Sequence, residues 1–206
     1  MSHICRPKPL YHSIMLLLAF AWLLYGAIHS FMASNYFKNF AAKTLGKYFR
    51  FYRLIYNILA FVLLIPVFAV QFSTEKEVLW QVSIYQPVIG KFISVWGVFL
   101  IATALQGYNL SEFSGLDFNK NQEKNEFKND GLLKYMRHPI YFGILLLVWG
   151  MFAADASTRS LTGATAVTIY LYVGIYFEEK KLLEVFGEKY KRYQQEVPML
   201  IPFLKF

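Results

Sequence analysis

Several groups of polar residues stand beside or within long apolar runs, where ionisable and hydrogen-bonding side chains are expensive to bury and so mark candidate chemistry. The first is Arg137-His138-Pro139-Ile140-Tyr141-Phe142-Gly143, at the mouth of an apolar segment. Pro139 suits a first helical turn, where its missing N–H matters least. That places His138 at a helix N-terminus, where backbone N–H groups attract an anion. The same residues also read as an interfacial anchor, with a basic pair, a proline start and a tyrosine. The second is Glu178-Glu179, directly after another apolar run. Two carboxylates there oppose the helix dipole, unless they open the first turn of a following helix, where acids are welcome. The third is Phe186-Gly187-Glu188-Lys189-Tyr190 with Tyr193, Val197-Pro198 and Ile201-Pro202, which alone reads as an amphipathic helix with a proline stop. The fourth is His29-Ser30 with Ser34 a turn beyond, either a functional histidine or small polar groups joining helices.

The elements that position these residues follow from composition. The 206-residue chain is 56% hydrophobic and only 17% charged, against roughly 45–50% and 25% for soluble domains. Phe and Tyr are abundant, at 20 and 15 residues, as expected where rings sit at membrane–water boundaries. The chain is therefore expected to be all-α and polytopic. Five segments can cross a bilayer: Ser13–Ala33, Leu54–Val70, Ile89–Gln106, Pro139–Ala154 and Leu161–Phe177. The shorter ones approach the lower limit of roughly 17 residues. Only Lys91, at the rim of the third, interrupts their lack of Asp, Glu, Lys and Arg, and an end lysine can snorkel to the headgroups. The first run is too long for a signal-peptide core.

The net charge of +8 lies mostly in loops beside these runs, with no run of basic residues interleaved with aromatics, which argues against nucleic acid as a partner. Of the 21 basic residues, only Arg6, Lys8, Lys76, Lys91 and Arg159 fall on one side of the five spans. The positive-inside rule then predicts an outside amino terminus and a cytoplasmic carboxyl terminus, and a bacterial inner membrane is the expected location. A lone cysteine, Cys5, permits neither an intramolecular disulfide nor a cysteine-based metal site, and no metal site is expected.

Only Asp155–Ser160 joins the last two spans, which must form an antiparallel hairpin. Beyond it, Leu182, Phe186, Tyr190, Tyr193 and Val197 recur every three or four residues, predicting a single amphipathic helix over Glu178–Val197. We treat the chain as one integral membrane domain, with a three-helix part over 1–118 and a hairpin part over 119–206. The hairpin brings the His138 end beside the Glu178 end. A pocket there would offer carboxylates, an imidazole, backbone donors and aromatic rings, an inventory suited to a nucleoside-bearing sulfonium. Methyl transfer from such a group needs in-line placement more than acid–base chemistry. A transporter is disfavoured, because no span carries an ionisable pair near its centre.

At these residues the sequence resembles a known family. The stretch GLLKYMRHPIYFG over Gly131–Gly143 resembles the G-x-Y-x-x-x-R-H-P-x-Y-x-G stretch of the isoprenylcysteine methyltransferases. Glu178-Glu179, Leu182, Phe186-Gly187, Tyr190, Tyr193, Val197-Pro198 and Ile201-Pro202 resemble its carboxyl-terminal signature, in the same order. His29–Ser34 and Tyr108–Leu116 resemble the NnrU/nurim-like branch. Coordinated signatures are more specific than either alone. The resemblance implies a membrane methyltransferase using S-adenosylmethionine, with cofactor contacts at Glu126, Phe127, Lys128, Leu133, His138, Pro139, Ile140, Tyr141 and Glu178, and substrate contacts at His29, Tyr108 and Glu179. It assigns no catalytic residue, and it also admits a non-catalytic nurim-like membrane protein. Members acting on a prenylcysteine carboxylate carry an Arg where this chain has Gly174, and Leu161–Phe177 holds no basic residue. An unpaired carboxylate in lipid is expensive to bind, so the expected acceptor is a small or lipid-soluble thiol or amine.

Overall fold

The apolar runs do form helices, and the punctuation between them is local. In a computed structural model, residues 8–73, 77–108, 111, 114–116 and 127–204 are described. Helix α1 (Lys8–Ala33) is followed by α2 (Asn35–Leu45), whose Ser34 N-cap accepts from the Phe37 N–H at 3.2 Å. Gly46 ends α2 with φ +49°, a conformation that favours glycine. A 3₁₀ turn then leads into α3 (Tyr52–Ser73). Helices α4 (Gln86–Leu105) and α5 (Pro139–Asp155) each carry a proline in the first turn. Helix α6 (Thr158–Phe186) begins with a capping box built by Ser157 and Ser160. The last helix is α7 (Glu188–Glu196).

By length and composition, the helical stretches Ser13–Ala33, Asn35–Ser73, Gln86–Leu105 and Thr158–Phe186 can cross a membrane, and Pro139–Asp155 is a shorter apolar helix. The protein is a multi-pass, all-α membrane protein. Many large apolar side chains face outward, such as Phe61 at 73% exposure, as expected where the surroundings are lipid.

The helices pack in the order α4, α5, α6, α1, α3. Helix α4 lies along α5 through glycines on both: a Cβ at Gly97 would stand 2.5 Å from the Gly143 carbonyl oxygen, and one at Gly150 would stand 2.6 Å from the Ser94 nitrogen. No side chain fits at these crossings, so the backbones touch. On the other side of the bundle, the Trp22 indole donates to Gln71 Oε1 at 3.0 Å, and the Gln71 amide donates to the Arg159 carbonyl at 3.0 Å. This ties α1, α3 and the start of α6. At the same end, residues 77–79 pair with 156–158: the Leu79 N–H donates to the Ala156 carbonyl at 2.7 Å, and Thr158 N–H donates to the Glu77 carbonyl at 3.0 Å.

The structure corrects one expectation about the carboxyl-terminal region. Glu178 and Glu179 do not open a new helix; α6 runs unbroken through them to Phe186. The break comes at Gly187, whose φ of +54° turns the chain so that α7 folds back. The apolar stripe therefore spans two helices, and the turn closes it on itself. Tyr190, Tyr193 and Val197 are buried together, with Leu182, Phe186 and Phe127 packed against them.

Candidate active site at the end of the α5–α6 hairpin

The segment before α5 is held by the chain's last turn. The Arg137 and His138 N–H groups donate to the Pro198 and Met199 carbonyls at 2.9 and 3.1 Å. The Arg137 guanidinium donates to the Gln194 carbonyl at 3.0 Å and the Val197 carbonyl at 2.6 Å, satisfying the end of α7. The expected anion site at the His138 N–H is thus occupied by the protein's own carbonyl.

Glu179 is the hub of the site. Its Oε1 accepts from Arg137 Nε at 2.7 Å, lies 3.0 Å from His138 Nε2 and accepts from the Tyr190 hydroxyl at 3.3 Å. Its Oε2 accepts from the Gln194 amide at 2.9 Å. Glu179 lies beyond Phe177, outside the apolar part of α6. Burial would push its carboxyl up, but hydrogen bonds from His138 and Arg137, with their charges, outweigh it and hold it at about 2. Burial, with the neighbouring Glu179 charge, pushes the Tyr190 phenol up. These groups face one another.

Glu178, one residue earlier on α6, differs. Its side chain is 45% exposed, and its Oε2 accepts from the Tyr141 hydroxyl at 2.7 Å. The Tyr141 ring stacks on His138 with centroids 5.4 Å apart and an interplanar angle of 14°. Hence His138, buried at 6% exposure, bridges the two acids: one nitrogen on Glu179, the other 3.9 Å from Glu178. Burial pushes the Tyr108 phenol up, with the charges of Glu178 and Asp130 adding to it.

The strip before α5 forms the floor of the aromatic cluster. Phe127 meets Phe186, Tyr190 and Tyr193 edge-on, and Lys189 Nζ sits 4.9 Å from its centroid. Tyr193, whose phenol burial pushes up to about 12, donates to the Leu133 carbonyl at 2.6 Å. Lys128 Nζ reaches the Gly107 carbonyl at 3.5 Å. Pro139 is buried and Ile140 half-buried in the first turn of α5. Glu126 lies outside the described residues. His29 is elsewhere: its Nε2 lies 2.6 Å from the Tyr56 hydroxyl, in a separate cluster with Tyr25 and Tyr170.

Sequence reasoning missed Arg137, Tyr190 and Gln194 as partners of Glu179. The signal was the i, i+4 spacing of Tyr190 and Gln194 on an amphipathic helix that had to lie against the acids. It also missed Tyr25, Tyr56 and Tyr170; Tyr170, Gly174 and Glu178 share one face of α6 at four-residue steps.

The fold and the site define a polytopic helical membrane protein with an exposed carboxylate–tyrosine pair at one end of a helical hairpin. The chain belongs to the family described as "Protein of unknown function (DUF1295)", which matches residues 17–197. It is 32% identical over 188 residues to methanethiol S-methyltransferase 1 of Bradyrhizobium diazoefficiens, covering 87% of this chain and 64% of that protein. It is 31% identical over 186 residues to methanethiol S-methyltransferase of Mycobacterium tuberculosis, covering 85% of this chain and 72% of that protein. A shorter match, 30% over 88 residues, joins it to protein-S-isoprenylcysteine O-methyltransferase B of Arabidopsis thaliana, covering 41% of this chain and 44% of that protein. The chain thus spans less than two thirds of the Bradyrhizobium protein's length. No solved structure matches it.

Proposed function

We propose that this protein is a membrane methyltransferase that moves the methyl group of S-adenosylmethionine to a small thiol. The observation that carries the reading is the contrast between the adjacent acids. Glu179 is committed to Arg137, His138, Tyr190 and Gln194, whereas Glu178 is exposed, hydrogen-bonded to Tyr141 and only 3.9 Å from His138. An oriented and accessible carboxyl group is a fitting acceptor for ribose hydroxyls. Tyr141 and His138 border it, and Pro139 and Ile140, with the strip from Phe127 and Lys128 to Leu133, would line the adenosine end. A sulfonium bound there supplies an electrophilic methyl group; the chain's own contribution is to hold and orient it.

The names of the relatives support a thiol acceptor. So does Gly174, one turn before Glu178, beside which the structure leaves open space. With no basic side chain in the apolar part of α6, a carboxylate substrate would lack a partner. Tyr108 and Glu179 would border the acceptor side. By the distribution of basic residues, the site faces the cytoplasm, and the amino terminus lies outside.

The test is calorimetric binding of S-adenosylmethionine and S-adenosylhomocysteine to detergent-purified protein, with gas-chromatographic detection of dimethyl sulfide from added methanethiol. Wild type is expected to bind both and form the sulfide. Glu178→Ala is expected to lose about 10- to 100-fold in affinity, as for removal of a charge-assisted hydrogen bond of about 1.5–3 kcal/mol. Folded wild type that binds neither compound would sink the enzyme reading and favour a structural, nurim-like role.

A further inference from the structure

In the last turns of α1 lies a polar cluster that the Glu178–Glu179 site does not use. The Tyr56 hydroxyl of α3 is 2.6 Å from His29 Nε2. The Tyr25 ring stacks on the imidazole at 5.6 Å, and Tyr170 of α6 meets its edge at 6.1 Å. Gly26 admits the Tyr170 ring, since a Cβ there would stand 2.8 Å from Tyr170 Cδ2. Behind the pair, Tyr52 stacks on Tyr56 and donates to the Met32 carbonyl. An imidazole among phenols inside an apolar bundle is an unusual investment for helix adhesion alone, because small hydroxyls and glycines serve that end.

The cluster and the proposed cofactor site share one face of α6. Tyr170, Gly174 and Glu178 follow at four-residue steps on one face of α6, about 12 Å from first to last. Tyr141 is hydrogen-bonded to Glu178 at the far end of that face. Between the two ends, nothing lies within 4 Å of a Cβ built on Gly174. On the far side, an apolar hollow between α1 and α3, lined by Leu24, Tyr25, Ile28, Leu63 and Pro66, approaches the cluster. It could admit a small apolar molecule from the lipid.

We infer that the His29–Tyr56 pair is the proton acceptor for a small thiol lodged beside Gly174, with the Tyr56 hydroxyl touching sulfur and His29 Nε2 behind it. This rests on the thiol methyltransferase reading above. The thiolate, not the thiol, is the good nucleophile, and even a thiol as acidic as cysteine is only a few per cent ionised at neutral pH. A positioned base removes that handicap. As the thiol sulfur forms its new S–C bond, the methyl–sulfonium bond breaks and leaves its electron pair on the donor sulfur. The S–H proton passes to the Tyr56 oxygen while the Tyr56 proton passes to His29 Nε2. The imidazolium later releases that proton to water, so the products are thioether, neutral donor remnant and one proton. The titratable groups facing the imidazole are Tyr25 on its own helix, Tyr52 and Tyr56 on α3, and Tyr170 on α6, with Tyr141 and Glu178 further along.

The experiment compares wild type, His29→Gln and Tyr56→Phe in detergent. It records kcat/KM for methanethiol from pH 6 to 9, and calorimetric binding of methanethiol to protein saturated with S-adenosylhomocysteine. Both variants are expected to bind S-adenosylhomocysteine like wild type and to bind methanethiol more weakly. At pH 7 they are expected to lose about 100-fold in kcat/KM, at the low end of general-base effects. That deficit should shrink by up to about tenfold per pH unit as solution thiolate replaces the missing base. Wild-type pH profiles and thiol binding in both variants would overturn the proposal, as would a deficit that is the same at every pH. If His29→Gln does not fold, Tyr56→Phe, which removes one oxygen, decides alone. Wild type that binds no S-adenosylhomocysteine and methylates no thiol would instead overturn the underlying reading.

Discussion

The seam between α4 and α5 and the junction of α1, α3 and α6 are both helix contacts in apolar sequence, yet they are built on opposite principles. In the seam, Gly90, Gly97, Gly143 and Gly150 bring two backbones together, and Ser94 adds a hydrogen bond to the Leu147 carbonyl at 3.1 Å. In the junction, bulky polar rings hold the helices through His29–Tyr56 and Trp22–Gln71 and leave space between them. Lipid tails give no hydrophobic reason for helices to associate, so close packing and hydrogen bonds must do it. The seam uses the first means and has no room for a ligand. The junction uses the second and leaves both room and chemistry. We conclude that α4–α5 is the scaffold and that the working surface lies on the other side of α5, where α5 meets α6 and α6 meets α1.

The largest expected effect would break the seam. In Gly97→Leu, the new Cβ alone would lie 2.5 Å from the Gly143 oxygen and 2.6 Å from the Leu147 nitrogen. Those atoms are backbone and cannot rotate away. Overpacking usually costs about 1–3 kcal/mol; here two helices must separate, and we expect more than about 3 kcal/mol. The readout is loss of the monodisperse peak in size-exclusion chromatography and of the cooperative melt. A variant that melts like wild type would show that the seam is not the scaffold.

The next effect falls on the site that the seam supports. Glu179→Gln keeps an acceptor but leaves Arg137 without its counter-charge, and we expect about 2–3 kcal/mol of destabilisation, short of the ~3–5 kcal/mol for removing a buried partner outright. The effect depends on pH with a fixed sign. The Glu179 carboxyl is held at about 2, below its ordinary value of 4.5. Its ionisation therefore contributes stability that is fully present above about pH 4.5 and is lost as pH falls through about 2. Melting temperatures of wild type and variant should be furthest apart above pH 4.5 and converge below it. A gap independent of pH would mean that Glu179 acts by shape rather than charge.

The two regions were not equally legible in the sequence. The apolar runs give five helices because length and absence of charge are enough to define them, and the short turn at residues 155–160 fixes the α5–α6 hairpin. Arg137-His138-Pro139 and Glu178-Glu179 could be brought together because a hairpin leaves them nowhere else to go. What the sequence withheld was the division of labour between Glu178 and Glu179, because it depends on how α7 folds back at Gly187. A glycine within an amphipathic pattern reads equally well as tolerated or as a stop, and only its φ of +54° distinguishes them. The seam was withheld too: the seven-residue spacing of Gly90 and Gly97 is visible, but its match to Gly143 and Gly150 requires knowing that α4 and α5 are antiparallel neighbours. Tyr56 and Tyr170 carried no signal of their own, since pairing with His29 depends on contacts between three separate helices.

The smallest effect tests whether hydrogen bonds in the junction are individually modest, as the comparison requires. Gln71 is buried and spans two partners, the Trp22 indole and the Arg159 carbonyl, while its amide packs 3.1–3.3 Å from where a Cβ on Gly163 would be. Gln71→Leu preserves volume and strands both partners. Interhelical hydrogen bonds in membrane proteins average about 0.6 kcal/mol and reach about 1.7, so we expect a loss near 1 kcal/mol, or roughly 2–4 °C in melting temperature. A double-mutant cycle with Trp22→Phe isolates the indole bond, because the second substitution keeps an aromatic ring in contact with Phe68. A coupling below about 1 kcal/mol fits a junction held by many weak ties, loose enough to admit a substrate. Coupling well above about 2 kcal/mol would make this bond as decisive as the glycine seam, and the distinction between scaffold and working surface would fail.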